Sequence, residues 1–270
     1  YIDFMKYRRL SLMASLVLVV VSLGLVAIRG LNLGIDFTGG NVLQVEFPGG
    51  ASVGDVREIL ASVGQEGAVI QAYSDTGMIV RTGSDDDKAR ESVTSALKAK
   101  YPDMHIVGIE KVGPVGGAEL RREAMIALGL ALGGILIYIS VRFQFRFAVV
   151  SVLALVHDSI ITLGIFSLTG MEISSSFIAA ILTIVGYSLN DSIVVLDRVR
   201  ENWRTLKTDG IITLLNNSIN ETLSRTISTS LTTLLPLAAL CLWGGHVLRG
   251  FSFALLIGII VGTYSSIFVV

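Results

Sequence analysis

The chain has one cysteine, Cys241, four prolines and three histidines in 270 residues. A single thiol forms no internal disulfide. Three histidines in separate regions build neither a paired-His metal motif nor a hydrolytic triad. No Walker loop and no G-x-S-x-G elbow is present, so neither nucleotide-fuelled work nor acyl transfer is expected. Charge is scarce too: 16% of residues are charged, and the net charge of -1 sums opposite local excesses. That balance gives no electrostatic ground for a nucleic acid partner. No catalytic residue, metal or cofactor is expected.

What the chain has is apolar length. Hydrophobic residues make up 52% and mean hydropathy is +0.70, outside the soluble globular range. A hydrocarbon core of roughly 30 Å needs about 20 apolar residues as helix. Six stretches qualify: Leu10 to Ile28, Ala124 to Val141, Phe147 to Leu168, Phe177 to Leu196, Thr226 to Trp243 and Phe251 to Val270. The first follows Lys6, Arg8 and Arg9 but is too long for a signal peptide and lacks an A-x-A site, so it is a retained span. A start at Tyr1 without Met and an end at Val270 inside an apolar run suggest a piece of a longer chain.

Basic residues collect in the loops on the cytoplasmic side of a membrane. Lys6, Arg8 and Arg9 precede the first span, Arg142 and Arg146 join the second to the third, and Arg198, Arg200, Arg204, Lys207 and Arg225 lie between the fourth and fifth. The opposite short loops hold only Arg249. Both ends are therefore expected in the cytoplasm, with the long segment after Arg29 outside. From Asp197 to Asn220 the sequence is charged and then amphipathic, which suggests a helix on the membrane surface.

The external segment holds more than half of the charged residues, and its apolar runs are short. Residues 41–47 alternate like a strand. A helix follows from Ser52, a plausible N-cap with Asp55 three residues on, to Val63. Residues 68–73 and 78–81 read as strands around the Asp75-Thr76-Gly77 turn, a helix opens at Asp85-Asp86-Asp87 and stops before Pro102, and His105 to Val112 is the last strand. This β-α-β-β-α-β order is that of a split β-α-β, ferredoxin-like domain. The expected whole is an α-helical polytopic membrane protein: 1–29 the N-terminus and first span, 30–123 the α+β domain, 124–270 five further spans with a cytoplasmic loop at about 197–222. The three aspartates read as a solvated helix start rather than a metal site, and His105 as a strand residue.

Asp191 lies within the fourth apolar run. A charged Asp at a membrane-helix centre costs roughly 2.5 to 3.5 kcal/mol, so it is a candidate functional group. Thr183 and Tyr187 precede it at four-residue spacing, a candidate lining for water, while Gly186 and Ser188 permit close helix approach. The plain alternative is a carboxylate that joins helices by hydrogen bonds. Arg225 opens the fifth span, with Ser228, Thr229, Thr232 and Thr233 continuing the helix after it. From the residues alone, snorkelling of Arg225 to the interface leads over pairing with Asp191. Asp158, next to His157 in the third span, is either a packing carboxylate paired with His157 or a hydroxyl, or a second member of a proton path. Burial favours a neutral carboxyl and a nearby guanidinium favours its ionised form, so an arginine that approaches and withdraws drives proton uptake and release. A proton moving down the membrane potential releases roughly 2.3 kcal/mol per 100 mV.

Four segments, Gly34 to Gly40, Val156 to Gly164, Gly186 to Asn202 and Glu221 to Ser230, resemble the SecF family of Sec protein-export subunits in the resistance-nodulation-division superfamily. The resemblance spans essentially the whole chain. It implies six spans with a periplasmic domain, a bacterial inner-membrane location, a SecD partner either separate or fused, action beside the SecYEG channel, and use of the proton gradient to complete export of unfolded polypeptides. It also implies Asp191 as proton carrier, Arg225 as its functional partner and Asp158 as a further network member. Asp36, Gly39 and Gly40 match a family motif, and their own chemistry reads as a turn that starts the next strand. The rival is a proton-coupled exporter half for lipids or hydrophobic small molecules, whose external domains are usually much larger. A scaffold with no transport cycle leaves Asp191 unexplained.

Overall fold

A computed structural model describes residues 1–84, 86–143, 145–205 and 210–270. Asp85, the first residue of the acidic helix start, and Lys207 of the basic loop lie outside the described residues. The chain divides into two compact units, one of residues 1–32 and 126–270 and one of residues 33–125.

In the second unit, a one-turn helix α2 (Ile35–Thr38) precedes β1 (Gly40–Glu46), α3 (Val53–Ser62), β2 (Val69–Ala72), β3 (Gly77–Thr82), α4 (Asp87–Lys100) and β4 (His105–Val112). The antiparallel sheet runs β2-β3-β1-β4, with Leu43 opposite Val80 on one side and Ile109 on the other. The Ser52 hydroxyl accepts from the Asp55 backbone N–H at 3.0 Å, the cap that the sequence suggests. Alternation then works as it does in water-soluble sheets. Leu43 and Val45 of β1 and Phe47 just after it join Val56 and Leu60 of α3 and Val93 and Leu97 of α4 in one apolar core.

The other unit is made of long helices: α1 (Arg8–Arg29), the lower part of α5 (Pro114–Arg142), α6 (Phe145–Thr169), α7 (Ser175–Thr205), α8 (Gly210–Trp243) and α9 (Gly245–Phe268). Among the described residues, six helices are long and apolar enough to cross a membrane, as the sequence predicts. Small and hydroxyl side chains share their packing faces with buried apolar ones such as Leu155, Phe166 and Ile184. On α1 the buried residues are Ser11, Ser15 and Ser22, while Leu12, Leu16 and Val20 face outward. A Cβ on Gly164 of α6 would collide with Ser22, so the two backbones meet closely at that glycine.

One expectation is corrected. The residues read as a helix lying on the membrane surface, Ile211 to Ile219, are the first turns of α8 and continue into the fifth span without a break. No Gly or Pro separates Asn220 from Thr226. Leu214 and Ile219 pack with Phe4, Val195 and Val199 instead of lying on lipid. The expected 197–222 loop is likewise mostly helix, the end of α7 and the start of α8.

Candidate proton-handling core

Along α7 the buried positions are Phe177, Ala180, Ile181, Ile184, Val185, Ser188, Asp191, Ser192, Val195, Leu196 and Val199. This is a helical stripe at three- and four-residue spacing, and it points Asp191 into the bundle. Thr183 lies eight residues back, about 80° round the helix at 3.6 residues per turn. It is exposed, its hydroxyl bound to the Ala179 carbonyl. Tyr187 is half-buried and its hydroxyl donates to Thr233 at 3.4 Å. The expected single stripe of Thr183, Tyr187 and Asp191 is therefore split by helical drift.

Asp191 is 2% exposed. Ser230 of α8 is its hydrogen-bonding neighbour and Arg225 acts on it through space, but its Oδ2 has no hydrogen-bond partner. No ion pair joins the described Arg225 and Asp191, and the Arg225 side of α8 is exposed. Ser228 and Thr232 share that outward exposure and Thr229 is half-buried, the two threonine hydroxyls returning to α8 carbonyls. In this stretch of α8 the buried residues are Thr226 and Ser230, with Thr222 one turn before them. Ser228, Thr229 and Thr232, expected from the sequence as possible lining of a water path, thus lie at exposed to half-buried positions of α8, outside the buried Thr226 and Ser230.

Asp158 of α6 is 0% exposed and fully engaged. Its Oδ1 lies 2.9 Å from His157 Nδ1, and its Oδ2 accepts from Ser188 of α7 at 2.6 Å and from Ser265 of α9 at 2.8 Å. One carboxyl therefore joins three helices. Gly262 permits this, since a Cβ there would come within 3.0 Å of Ser188 and 3.6 Å of Asp158 Oδ2. The hydroxyls of Ser230 and Thr263 stand 2.7 Å apart, so α9 also meets the Asp191 neighbourhood. The roles of Ser188, Ser230, Thr263 and Ser265 escape the sequence reading. The available signal is Gly262-Thr263-Tyr264-Ser265-Ser266, four hydroxyl residues in succession inside an apolar span.

Asp36 lies in α2, a helical turn where the sequence reading has a simple turn before the strand. Gly39 and Gly40 follow with positive φ of 73° and 124°. Only glycine takes such angles freely, and a Cβ on Gly40 would strike the Thr82 carbonyl of the neighbouring strand. The two glycines turn the chain directly from α2 into β1. Among the described residues no group of three His, Cys, Asp or Glu is placed to hold a metal.

A helical bundle with two buried carboxyls in its core and an attached four-stranded α/β unit defines a multi-pass membrane protein of the transporter class. The description "Protein export membrane protein SecD/SecF, C-terminal" matches residues 92–270, and "SecD/SecF GG Motif" matches 24–47, which includes Asp36, Gly39 and Gly40. The chain is 48% identical to protein translocase subunit SecF of Desulfurispirillum indicum, covering 100% of this chain and 89% of that one. It is 43% identical to the Pseudomonas aeruginosa SecF, covering 99% and 89%. A crystal structure of SecDF from Thermus thermophilus superposes with a TM-score of 0.92 at 45% identity over 99% of this chain and 37% of that one. A structure of SecDF in a super-membrane-facing form gives 0.74 at 44% identity. The chain belongs to the SecD/SecF family of protein-export membrane proteins, on its SecF side, and is a component of Sec protein transport rather than a catalyst of a chemical conversion.

Proposed function

We propose that this chain is the SecF-type half of a proton-driven machine that completes export of unfolded polypeptides across the bacterial inner membrane. SecD is its partner and the SecYEG channel its site of action. The fusion of both halves in the Thermus thermophilus SecDF, of which this chain matches 37%, supports the partnership. Residues 30–123 are the periplasmic, ferredoxin-like domain, carried between the first span (1–29) and the remaining five (124–270). The basic loops support this orientation, with both ends cytoplasmic. Asp191 carries the proton, Arg225 biases it by charge, and Asp158 is the second acid of the network.

The observation that carries this reading is Asp191 itself, buried in the bundle with Oδ2 unpartnered. A carboxyl whose only task was to join helices would have donors on both oxygens. An oxygen without a donor is free to bind a proton, and the nearby guanidinium supplies the opposing pull. Asp191→Asn keeps the shape and removes the titration. In membrane vesicles, we expect that variant to assemble with its partner and lose the stimulation of export by a proton gradient. Wild-type stimulation would sink the reading.

A further inference from the structure

We propose that His157, Asp158 and Ser265 form a second proton-holding site, which takes up its proton at His157 Nε2 and in doing so loosens α7 and α9 from α6. The proposal deepens the proton-coupled reading above and rests on it for its place in a transport cycle.

With Asp158 ionised, each of its neighbours donates: the two serines through O–H and His157 through Nδ1–H, since a carboxylate only accepts. The proton of the neutral imidazole then sits on Nδ1, and Nε2 carries a lone pair. That Nε2 is buried and has no hydrogen-bond partner, in a residue 8% exposed. A basic nitrogen left bare directly behind a carboxylate is a proton acceptor. When a proton binds at Nε2, the Nδ1 proton passes 2.9 Å to Asp158 Oδ1. The acid becomes neutral, the imidazole remains neutral as its other tautomer, and the site changes from one negative charge to none.

Ser265 completes the second state. Its Oγ lies 2.8 Å from Asp158 Oδ2 and 3.1 Å from the Gly262 carbonyl oxygen. One hydroxyl has one proton, so it serves one acceptor at a time. Against the ionised acid it donates to Oδ2; against the neutral acid it turns to Gly262. No heavy atom need move, and both states stay hydrogen-bonded. What changes is strength, because hydrogen bonds to an ionised acceptor are about twice as strong as neutral ones. The bonds weakened by proton uptake are those from Ser188 and Ser265, which hold α7 and α9 to α6.

The surroundings suit a single-proton site. On α7, Asp191 lies one turn beyond Ser188 on the same buried face, and Tyr187 is half-buried. On α9, after Arg249 the only titratable side chain is Tyr264, which bonds to α1 through Ser15 and the Ser11 carbonyl. On α1 no ionisable residue lies between Arg9 and Arg29. Ser230 and Thr263 bridge α8 to α9 beside Asp191, so one helix touches both acids.

Infrared titration of the purified full chain tests the proposal through the C=O stretch of a protonated carboxyl, between about pH 5 and about pH 9. We expect a band that Asp158→Asn removes and Asp191→Asn leaves. His157→Asn retains a donor where Nδ1 was but lacks the second nitrogen, and should displace the midpoint of that band by about one pH unit or more. If that variant does not fold, Ser265→Ala serves, with a displaced band frequency expected. A wild-type spectrum with no band dependent on Asp158, or one indifferent to both variants, overturns the proposal. Since no export is measured, wild-type export by Asp191→Asn would remove the function proposed above and leave this site standing.

Discussion

The α/β unit and the helical bundle distribute their residues in opposite senses. The sheet unit keeps Leu43, Val45, Phe47, Leu60, Val80 and Leu97 inside and, Arg81 aside, its charges exposed or half-buried. The bundle keeps Ser151, His157, Asp158, Ser188, Asp191, Ser230 and Ser265 inside, and turns Leu12, Val17, Leu130 and Ile137 outward. In water, burying apolar surface stabilises the fold at roughly 25 cal/mol per Å². In lipid that drive between helices is absent, and close packing, hydrogen bonds and small residues take its place. Stability and function therefore separate in the sheet unit, where the core is plain hydrocarbon. They meet in the bundle, where Asp158, which joins three helices, is also an acid of the proposed proton network.

Truncation of the hydrocarbon core tests this contrast most severely. Leu97 of α4 is fully buried, and Leu97→Ala should destabilise the α/β unit by about 2 to 5 kcal/mol through lost transfer energy and a cavity. Hydrogen exchange on the full chain should show faster exchange in β1, β3 and α4, with the amides of α6 and α7 unchanged. Faster exchange spread equally through the bundle would mean that the two units do not stabilise themselves separately.

The matching test in the bundle adds volume. A Cβ on Gly164 meets the Cβ, Oγ and backbone of Ser22. Gly164→Ala should therefore force α1 and α6 apart at a cost of about 1 to 3 kcal/mol. The measurement is thermal unfolding in detergent, with Gly24→Ala as control, because a Cβ at that half-buried glycine meets nothing. Equal midpoints for the two variants would break the claim that small residues set this interface.

The same contrast explains what the sequence could reveal. Strand 41–47 was readable from its alternation in sequence, and 78–81 from the Asp75-Thr76-Gly77 turn ahead of it, although β3 is buried along its whole length. The Ser52 cap and the His157–Asp158 pair were readable because they are local. The inward face of α8 was not. Thr226, Ser228, Thr229, Ser230, Thr232 and Thr233 place hydroxyls nearly all round the helix, so no period distinguishes Thr226 and Ser230 from the rest. The partnership of Asp158 with Ser188 and Ser265 was hidden for a different reason: it joins residues 30 and 107 positions apart, which only the packing of three helices brings together.

The smallest effect concerns the cap of α3. Ser52→Ala removes the side-chain acceptor for the Asp55 N–H and should cost about 1 kcal/mol locally. It should also change how the unit responds to acid. The Asp55 carboxyl is held below the usual carboxylate range, first by its hydrogen bond with Ser52 and then by the Lys100 ammonium, whose Nζ lies 3.5 Å away. A depressed carboxyl contributes stability that is present above its unfolded value of about 3.9 and is lost as pH falls through the folded value. With Ser52 gone, the main cause of that depression goes too. Exchange protection of α3, compared between variant and wild type at each pH, should therefore differ most near neutrality and converge as Asp55 protonates. A gap that stays constant down to acid pH would assign the whole effect to the backbone cap, and would leave the Lys100 pair as the sole source of acid sensitivity at this helix.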